Sequence, residues 1–465
     1  MELSRLLSRY RAKSLFLPAH NRGSSLPSGI KKLLRSSPGS WDLPEIPEWG
    51  GPLISEGAVA NSQKLLASKF GASRAWYGVN GATGLLQAAV LAAAPPGSAV
   101  LMPRNVHRSV IQACALGDLI PILFDLPFAS DRGHFSPPDL EWIKKIIQAL
   151  EIEAIDKISA VVLVHPFYQG YSTNIVPFVE AFHEKGWPVI VDEAHGAHFA
   201  AEVDQLPDSA LKANADLVVH SLHKSASGLV QTAVLWLKGE LIDPREVEKS
   251  IGLMQTTSPS ALLLASCESS LLDLKSSSGR RKLISNINRA KEISEKLSHI
   301  GVPLFKTQDP FKLLLDTGSH GITGFEADEW MISKGLVAEL PEPGCLTFCM
   351  GFSPNKGLVR TMKRNWDSLL SNYSSRSPLK EFSSPGFPLI TKTSLSYLKA
   401  WRGTSKLNRL EDSVGKISAE MICPYPPGIP MLVPGELLDH EKVNWLMDQK
   451  LLWPNKIPSL IRVVS

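Results

Sequence analysis

The stretch Asp216-Leu-Val-Val-His220 is a short apolar run that ends on Ser221-Leu222-His223-Lys224, ahead of the small, polar Ser225-Ala-Ser-Gly228. Such a run followed by small residues reads as a buried strand giving way to a loop. A lysine at that junction is poorly solvated and loses its proton readily, which suits it to bond covalently to a carbonyl carbon. Taken alone, a lysine after a strand is ordinarily a solvated loop residue. Lys224 has company, however. Upstream, Trp187-Pro-Val-Ile-Val191 runs into Asp192 and on through Asp192-Glu-Ala-His195. An isolated strand-end aspartate is a turn former or helix cap. Beside a strand-end lysine in one parallel sheet, it can keep a ring nitrogen protonated while the lysine holds an aldehyde.

Working outward, the same placement recurs. Ala75-Trp-Tyr-Gly-Val79 is a strand, followed by Asn80-Gly-Ala-Thr-Gly84 and a helix ending before Pro95-Pro96-Gly97. A strand, a turn of small residues and a helix start form an anion site, because free N–H groups and the positive helix end face one point. A plain tight turn has the same sequence signature. Ser98-Ala-Val-Leu-Met102 leads to His107, and Ala160-Val-Val-Leu-Val164 is apolar throughout, as a strand covered on both faces must be. Apolar strands alternate with helical segments from residue 75 to 237, which predicts an α/β domain with a mainly parallel sheet. In such sheets sites gather at the carboxyl ends of the strands. Thr83, His107, Asp192, Ser221, His223 and Lys224 all fall there, which argues for one site. A strand-end lysine, a strand-end aspartate and an anion cradle are what pyridoxal 5'-phosphate (PLP) needs.

These motifs resemble the Orn/Lys/Arg decarboxylase family of fold-type I PLP enzymes. The resemblance rests on Ser221-Leu-His-Lys224, on Val191-Asp-Glu-Ala-His-Gly-Ala-His-Phe199 and on Pro103-Arg-Asn-Val-His-Arg-Ser109. It continues in Gln255-Thr-Thr-Ser-Pro-Ser260 and Tyr425-Pro-Pro-Gly-Ile-Pro-Met-Leu-Val-Pro-Gly-Glu436, so it spans nearly the whole chain in order. It implies an aspartate-aminotransferase-like large domain with a small C-terminal α+β domain, in the short form without an N-terminal receiver-like domain. The implied reaction is decarboxylation of a basic amino acid, arginine or lysine ahead of ornithine, giving an amine and carbon dioxide for polyamine or diamine synthesis. It further implies that Lys224, His107 and Asp192 are catalytic, with His107 stacked on the ring and Ala194 on the opposite face. Ala82, Thr83 and Gly84 would hold the phosphate with Ser221 and His223, and His195 would stand behind them or be a core histidine. Lys224 and His223 are both candidates to return a proton to Cα. His20, Asp42 and Glu436 are the candidates for contact with substrate. At least a homodimer is implied, with Gln255 to Ser260 reaching the neighbour's phosphate. The sequence departs from the family pattern at Ala19, Arg22 and Val230, which bears on substrate choice and turnover. The alternatives are another fold-type I PLP reaction, an aminotransferase, for which Arg360 and Arg364 could clamp a carboxylate, or a β-eliminating lyase, and a PLP-binding relative without turnover.

Composition agrees with a globular protein. The 465 residues are 44% hydrophobic and 20% charged, and the net charge of +4 gives no reason to expect nucleic acid or a membrane as partner. No apolar run has the length of a membrane span. Five scattered cysteines read as reduced thiols of a cytoplasmic protein, and Cys345 and Cys349 lack a second pair at metal-site spacing, so no metal is expected. The amphipathic stretch from Met1 to Lys13 reads as a mature helix running into Leu17-Pro-Ala-His20 rather than as a transit peptide. The expected organisation is an arm over 1–50, a PLP-binding domain over 51–300, a flanking subdomain over 301–375 and a C-terminal domain over 385–465. A Ser- and Pro-rich boundary runs from Ser374 to Gly386.

Overall fold

The structure is a computed structural model that describes residues 2–10, 13–153, 155, 157–355, 357–424, 428–453 and 456–465. Met1, Arg11 and Ala12 of the expected N-terminal helix, and Tyr425 to Pro427 at the head of the last family-like segment, lie outside the described residues. Helix Glu2–Arg9 covers most of the former.

Among the described residues, eight strands form the central sheet. Their spatial order is Ile390–Lys392, Ile120–Phe124, Ala99–Pro103, Ile158–Val164, Val189–Asp192, Leu217–Ser221, Ala233–Leu237 and Arg74–Gly78. The five strands from Ile120–Phe124 to Leu217–Ser221 pair in parallel, and the remaining pairings are antiparallel. The mainly parallel sheet expected from sequence is therefore present. Successive residues of each strand feed opposite faces. Val189 and Val191 enter one apolar core and Ile190 the other, as do Leu101 and Met102. Helices Gly81–Ala93, Arg108–Leu116 and Pro244–Met254 close one face, and helices such as Leu140–Ile152 and Val176–His183 the other.

A second sheet, antiparallel, comprises Leu304–Phe305, Lys312–Asp316, Cys345–Cys349 and Leu340–Pro341. Its strands share the larger apolar core with the central sheet. The C-terminal segment has its own core around Leu432, Leu446 and Ile461, beside the pair Ser405–Arg409 and Leu460–Val464. The arm is less irregular than its Gly, Pro and Ser content suggests. Helix Ser28–Arg35 lies within it, and Lys13–Ser14 pairs in parallel with Leu336–Val337. Ser55 does not cap the next helix, which starts at Gly57 without a side-chain cap and stops at Gly71 in the left-handed conformation.

Candidate active site

Lys224 sits in a short helical turn, Leu222–Ser225, directly after strand Leu217–Ser221. Two tethers join this turn to the neighbouring strand end. The Ser225 hydroxyl donates to the Ala194 carbonyl at 3.3 Å and accepts from the Ala197 amide at 2.9 Å. Beneath them, buried Glu193 accepts from the Ser209 hydroxyl and from His220 Nε2, both at 2.6 Å. His220 Nδ1 accepts from Trp236 Nε1 at 2.9 Å, which places the histidine proton on Nε2. Glu193 thus cross-links the strands that lead to Asp192 and Lys224, and through His220 and Trp236 the adjacent strand Ala233–Leu237 is held to them as well.

Lys224 opens into a cavity of about 600 Å³. The helix Gly81–Ala93 contributes Gly81, Ala82 and Thr83 to its wall, at an N-terminus with no side-chain cap. First-turn N–H groups have no partner inside a helix, so this end is ready for an anion. Gly81 itself donates to the Gln231 carbonyl at 2.8 Å and has φ +71°, which favours glycine. Gly84 is not part of the wall. A Cβ there would stand 3.3 Å from the Met254 carbonyl oxygen, so its smallness serves the close approach of helix Pro244–Met254.

His107 caps helix Arg108–Leu116 and also lines the cavity. Its Nδ1 accepts from the Ser109 amide at 3.3 Å, leaving the proton on Nε2. Burial, then Lys224 and Arg108, push its pKa down to about 3, so it is a neutral, flat ring at neutral pH. Asp192, Ala194 and His195 form the floor, with Ser221 and His223 beside Lys224. The Asp192 carboxylate accepts from the Ala194 amide at 3.1 Å; burial raises its pKa, and Lys224 opposes that. Burial pulls the Lys224 ammonium below its ordinary value, against the attraction of Asp192 and Glu339. His223, 3.1 Å from the Ser221 hydroxyl, is pushed down to about 4 by burial and by Lys224.

The donor set fits PLP. An uncapped helix end with the Thr83 and Ser221 hydroxyls suits a phosphate, a buried lysine whose pKa is lowered by burial suits an aldehyde, and a buried carboxylate suits a protonated ring nitrogen.

The substrate candidates are not brought together. Glu436 is fully buried elsewhere, accepting from Arg104 Nη2 at 2.7 Å and standing 3.3 Å from Lys442 Nζ. Its attraction to these two cations outweighs burial and lowers its pKa, so it is a structural anion. Asp42 is exposed and does not line the cavity. His20 also stays off the wall, where its Nδ1 accepts from the Gly23 amide at 2.9 Å. The arm does reach the site, through Phe16, Leu17 and Pro18. The Ala19 amide donates to the His223 carbonyl at 2.9 Å and the Leu17 amide to Glu339 Oε2 at 2.8 Å. Arg360 and Arg364, the clamp candidates of the transaminase alternative, are exposed on helix Leu358–Asn372 and are not in the wall. Gln255 is turned into its own chain, donating to the Tyr77 carbonyl and accepting from the Val79 amide, while Thr256, Thr257 and Ser258 are exposed. Sequence reasoning missed Glu339, a carboxylate in the cavity wall, and Lys312, which stands behind His195.

Fold and site together define a PLP-dependent enzyme of fold type I. The chain belongs to the Orn/Lys/Arg decarboxylase family: the family's major domain matches residues 39–332 and its C-terminal domain residues 381–455. It is an amino-acid decarboxylase by that membership. The arginine decarboxylase of Halalkalibacterium halodurans is 27% identical, covering 95% of this chain and 91% of the relative. That of Bacillus subtilis is 28% identical over 92% and 89%. The solved structure of lysine decarboxylase A from Pseudomonas aeruginosa superposes with a TM-score of 0.76 at 16% identity, covering 100% of this chain and 82% of that one.

Proposed function

We propose that this protein removes the α-carboxylate of a basic amino acid, arginine ahead of lysine and then ornithine, with Lys224, Asp192 and His107 as the catalytic residues. The observation that carries this reading is the wall itself: Lys224, Asp192 and an uncapped helix N-terminus converge on one cavity that also holds the carboxylate of Glu339. The arginine relatives favour arginine.

When bound, PLP supplies the electron sink for the pair left on Cα as carbon dioxide departs. Asp192, with one oxygen held by the Ala194 amide, offers the other to a ring N–H and keeps that proton in place. His107, a neutral imidazole in the cavity wall, would flank the ring and limit its tilt. Ala82, Thr83, Ser221 and His223 hold the phosphate, while Gly84 lets the helix pack close enough to present it. Glu339 offers its charge to the cationic end of the substrate. Lys224 would hold the aldehyde carbon of the cofactor and is placed to carry a proton to Cα.

A homodimer completes this reading. No helix among the described residues is long and apolar enough to cross a membrane. Exposed Leu53 lies against Gly252, next to exposed Leu253, on the helix that packs on Gly84, and exposed Val230 edges the cavity. A second copy would cover them. Five unpaired cysteines support a reducing compartment, which we take to be the cytoplasm.

The test is turnover with PLP and arginine, lysine or ornithine in turn, identifying the amine. One amine that disappears with Lys224→Ala supports the reading. No amine from any of the three, with cofactor absorbance present, refutes it.

A further inference from the structure

We propose that Lys312 fixes the tautomer of His195 and, through it, holds Lys224 as a neutral amine whenever its nitrogen is free. Lys312 is a positioning residue in this scheme, and the scheme rests on Lys224 being the residue that binds and releases the cofactor.

One imidazole stands between two lysines. Lys224 Nζ is 3.2 Å from His195 Nε2, and Lys312 Nζ is 3.4 Å from His195 Nδ1. A neutral imidazole has one N–H and one lone pair. An ammonium only donates. Both lysines therefore cannot be ammonium ions bonded to this ring at once: one donates to the bare nitrogen, and the other accepts from the N–H as a neutral amine. The imidazolium form is not available, because burial, then Lys224 and Lys312, hold His195 well below its ordinary pKa.

The surroundings decide which lysine carries the charge. Lys312 lies on strand Lys312–Asp316 of the second sheet, and its Nζ is 3.0 Å from Cys349 Sγ on the adjacent strand. Burial pulls its pKa down, but Cys349, Asp309 and Glu339 together pull it above its ordinary value. The Cys349 thiol is itself pushed up to about 12 by burial, so at neutral pH it is a soft acceptor, and the counter-charges are Asp309 and Glu339. Asp309 is ionised, since His198 at 3.2 Å and Lys312 overcome its burial. On the other side, Lys224 faces Asp192, Glu339 and Cys349, but also Lys312, and its pKa is lowered by burial. His107 and His223 line the same cavity and are neutral, adding no counter-charge. Lys312 is thus the ammonium and donates to Nδ1. The His195 proton is on Nε2 and points its donor at Lys224. The Tyr168 ring packs edge-on to the imidazole at 5.1 Å and fixes its orientation.

A neutral Lys224 is the nucleophile the cofactor's aldehyde requires, and the arrangement delivers it at a pH where an ordinary lysine is protonated. Neither Lys312 nor its link to His195 was visible in the sequence.

Two experiments test this on the full-length, cofactor-free chain, so neither depends on the substrate or on turnover. In the first, acetic anhydride labels lysines competitively across a pH series, and mass spectrometry reads Lys224. Lys312→Met slows Lys224 labelling at pH 7 by about tenfold, one pKa unit, and Lys312→Arg largely restores it. In a His195→Phe background, Lys312→Met changes labelling less than threefold. An unchanged Lys224 profile in Lys312→Met, or a full tenfold effect without His195, overturns the proposal. The second keeps the native chain, should Lys312→Met fail to fold. Ring-nitrogen NMR of ¹⁵N-histidine protein, assigned by loss of the signal in His195→Phe, shows His195 with its proton on Nε2. A proton on Nδ1 overturns the proposal.

Discussion

His107 and Asp192 show how single residues separate binding from chemistry. The folded His107 ring titrates at about 3 against an ordinary 6.5, with burial the first cause. Between those values the unfolded chain binds a proton that the folded chain does not. The folded state therefore loses stability as pH falls from 6.5 towards about 3, by up to about 1.4 kcal/mol per pH unit. In His107→Phe that contribution is absent, so urea unfolding of the cofactor-free variant falls off less steeply on acidification than that of the parent; parallel curves would contradict the assignment. Asp192→Asn keeps shape and burial but loses the charge. Its kcat drops on the order of a hundredfold or more, while melting temperature and cofactor content stay close to the parent's. At this scale the sequence revealed residues that punctuate strands, because a polar side chain after an apolar run followed by small residues is a local signal. Glu339 and Lys312 gave no such signal. Lys312 lies on the second sheet and Glu339 directly precedes its strand Leu340–Pro341, and only the packing of that sheet against the first brings them to Lys224.

The helix Gly81–Ala93 illustrates the scale of the element. Its N-terminus is useful because nothing in its own sequence caps it, and its placement depends on helix Pro244–Met254 lying close against Gly84. Gly84→Val drives a branched side chain toward the Met254 carbonyl and costs about 1–3 kcal/mol by overpacking. The same change tilts the anion-binding end, so PLP affinity falls with melting temperature; a normal affinity in a destabilised variant would show that the two are uncoupled. Helices and long apolar strands were legible because their periods are strong. Helix Leu140–Ile152 starts past Pro137 and Pro138, with Asp139 accepting from the Trp142 amide as its cap. Strand Ile390–Lys392 is too short to announce itself, and it joins the sheet edge only by pairing with Ile120–Phe124.

Across the whole molecule, the C-terminal segment is fastened by charge. Arg104, fully buried beside Phe387 at 3.9 Å, donates to Glu436, which also faces Lys442. Glu436→Gln leaves two buried cations without their anion and destabilises the protein by about 3–5 kcal/mol. Chemical denaturation reads this directly, and a loss below 1 kcal/mol would mean water replaces the carboxylate. Glu436 was expected near the substrate from the family-like motif that ends on it; the structure uses the same residue as a rivet. Light scattering after size exclusion should give twice the chain mass, and a fully active monomer would remove the dimer from the reading.

The pairing of Lys13–Ser14 with Leu336–Val337, together with the bonds from Leu17 to Glu339 and from Ala19 to His223, gives this enzyme a timetable. Lys13 and Ser14 leave the ribosome roughly 320 residues ahead of the strand they pair with, a wait of roughly 15–65 s at ordinary rates of synthesis. Lys224 emerges about two thirds of the way through that interval, with one wall of its cavity still unmade. Covalent capture of the cofactor is therefore a late event in the life of each chain, and a nascent chain stalled before Val337 should carry no PLP.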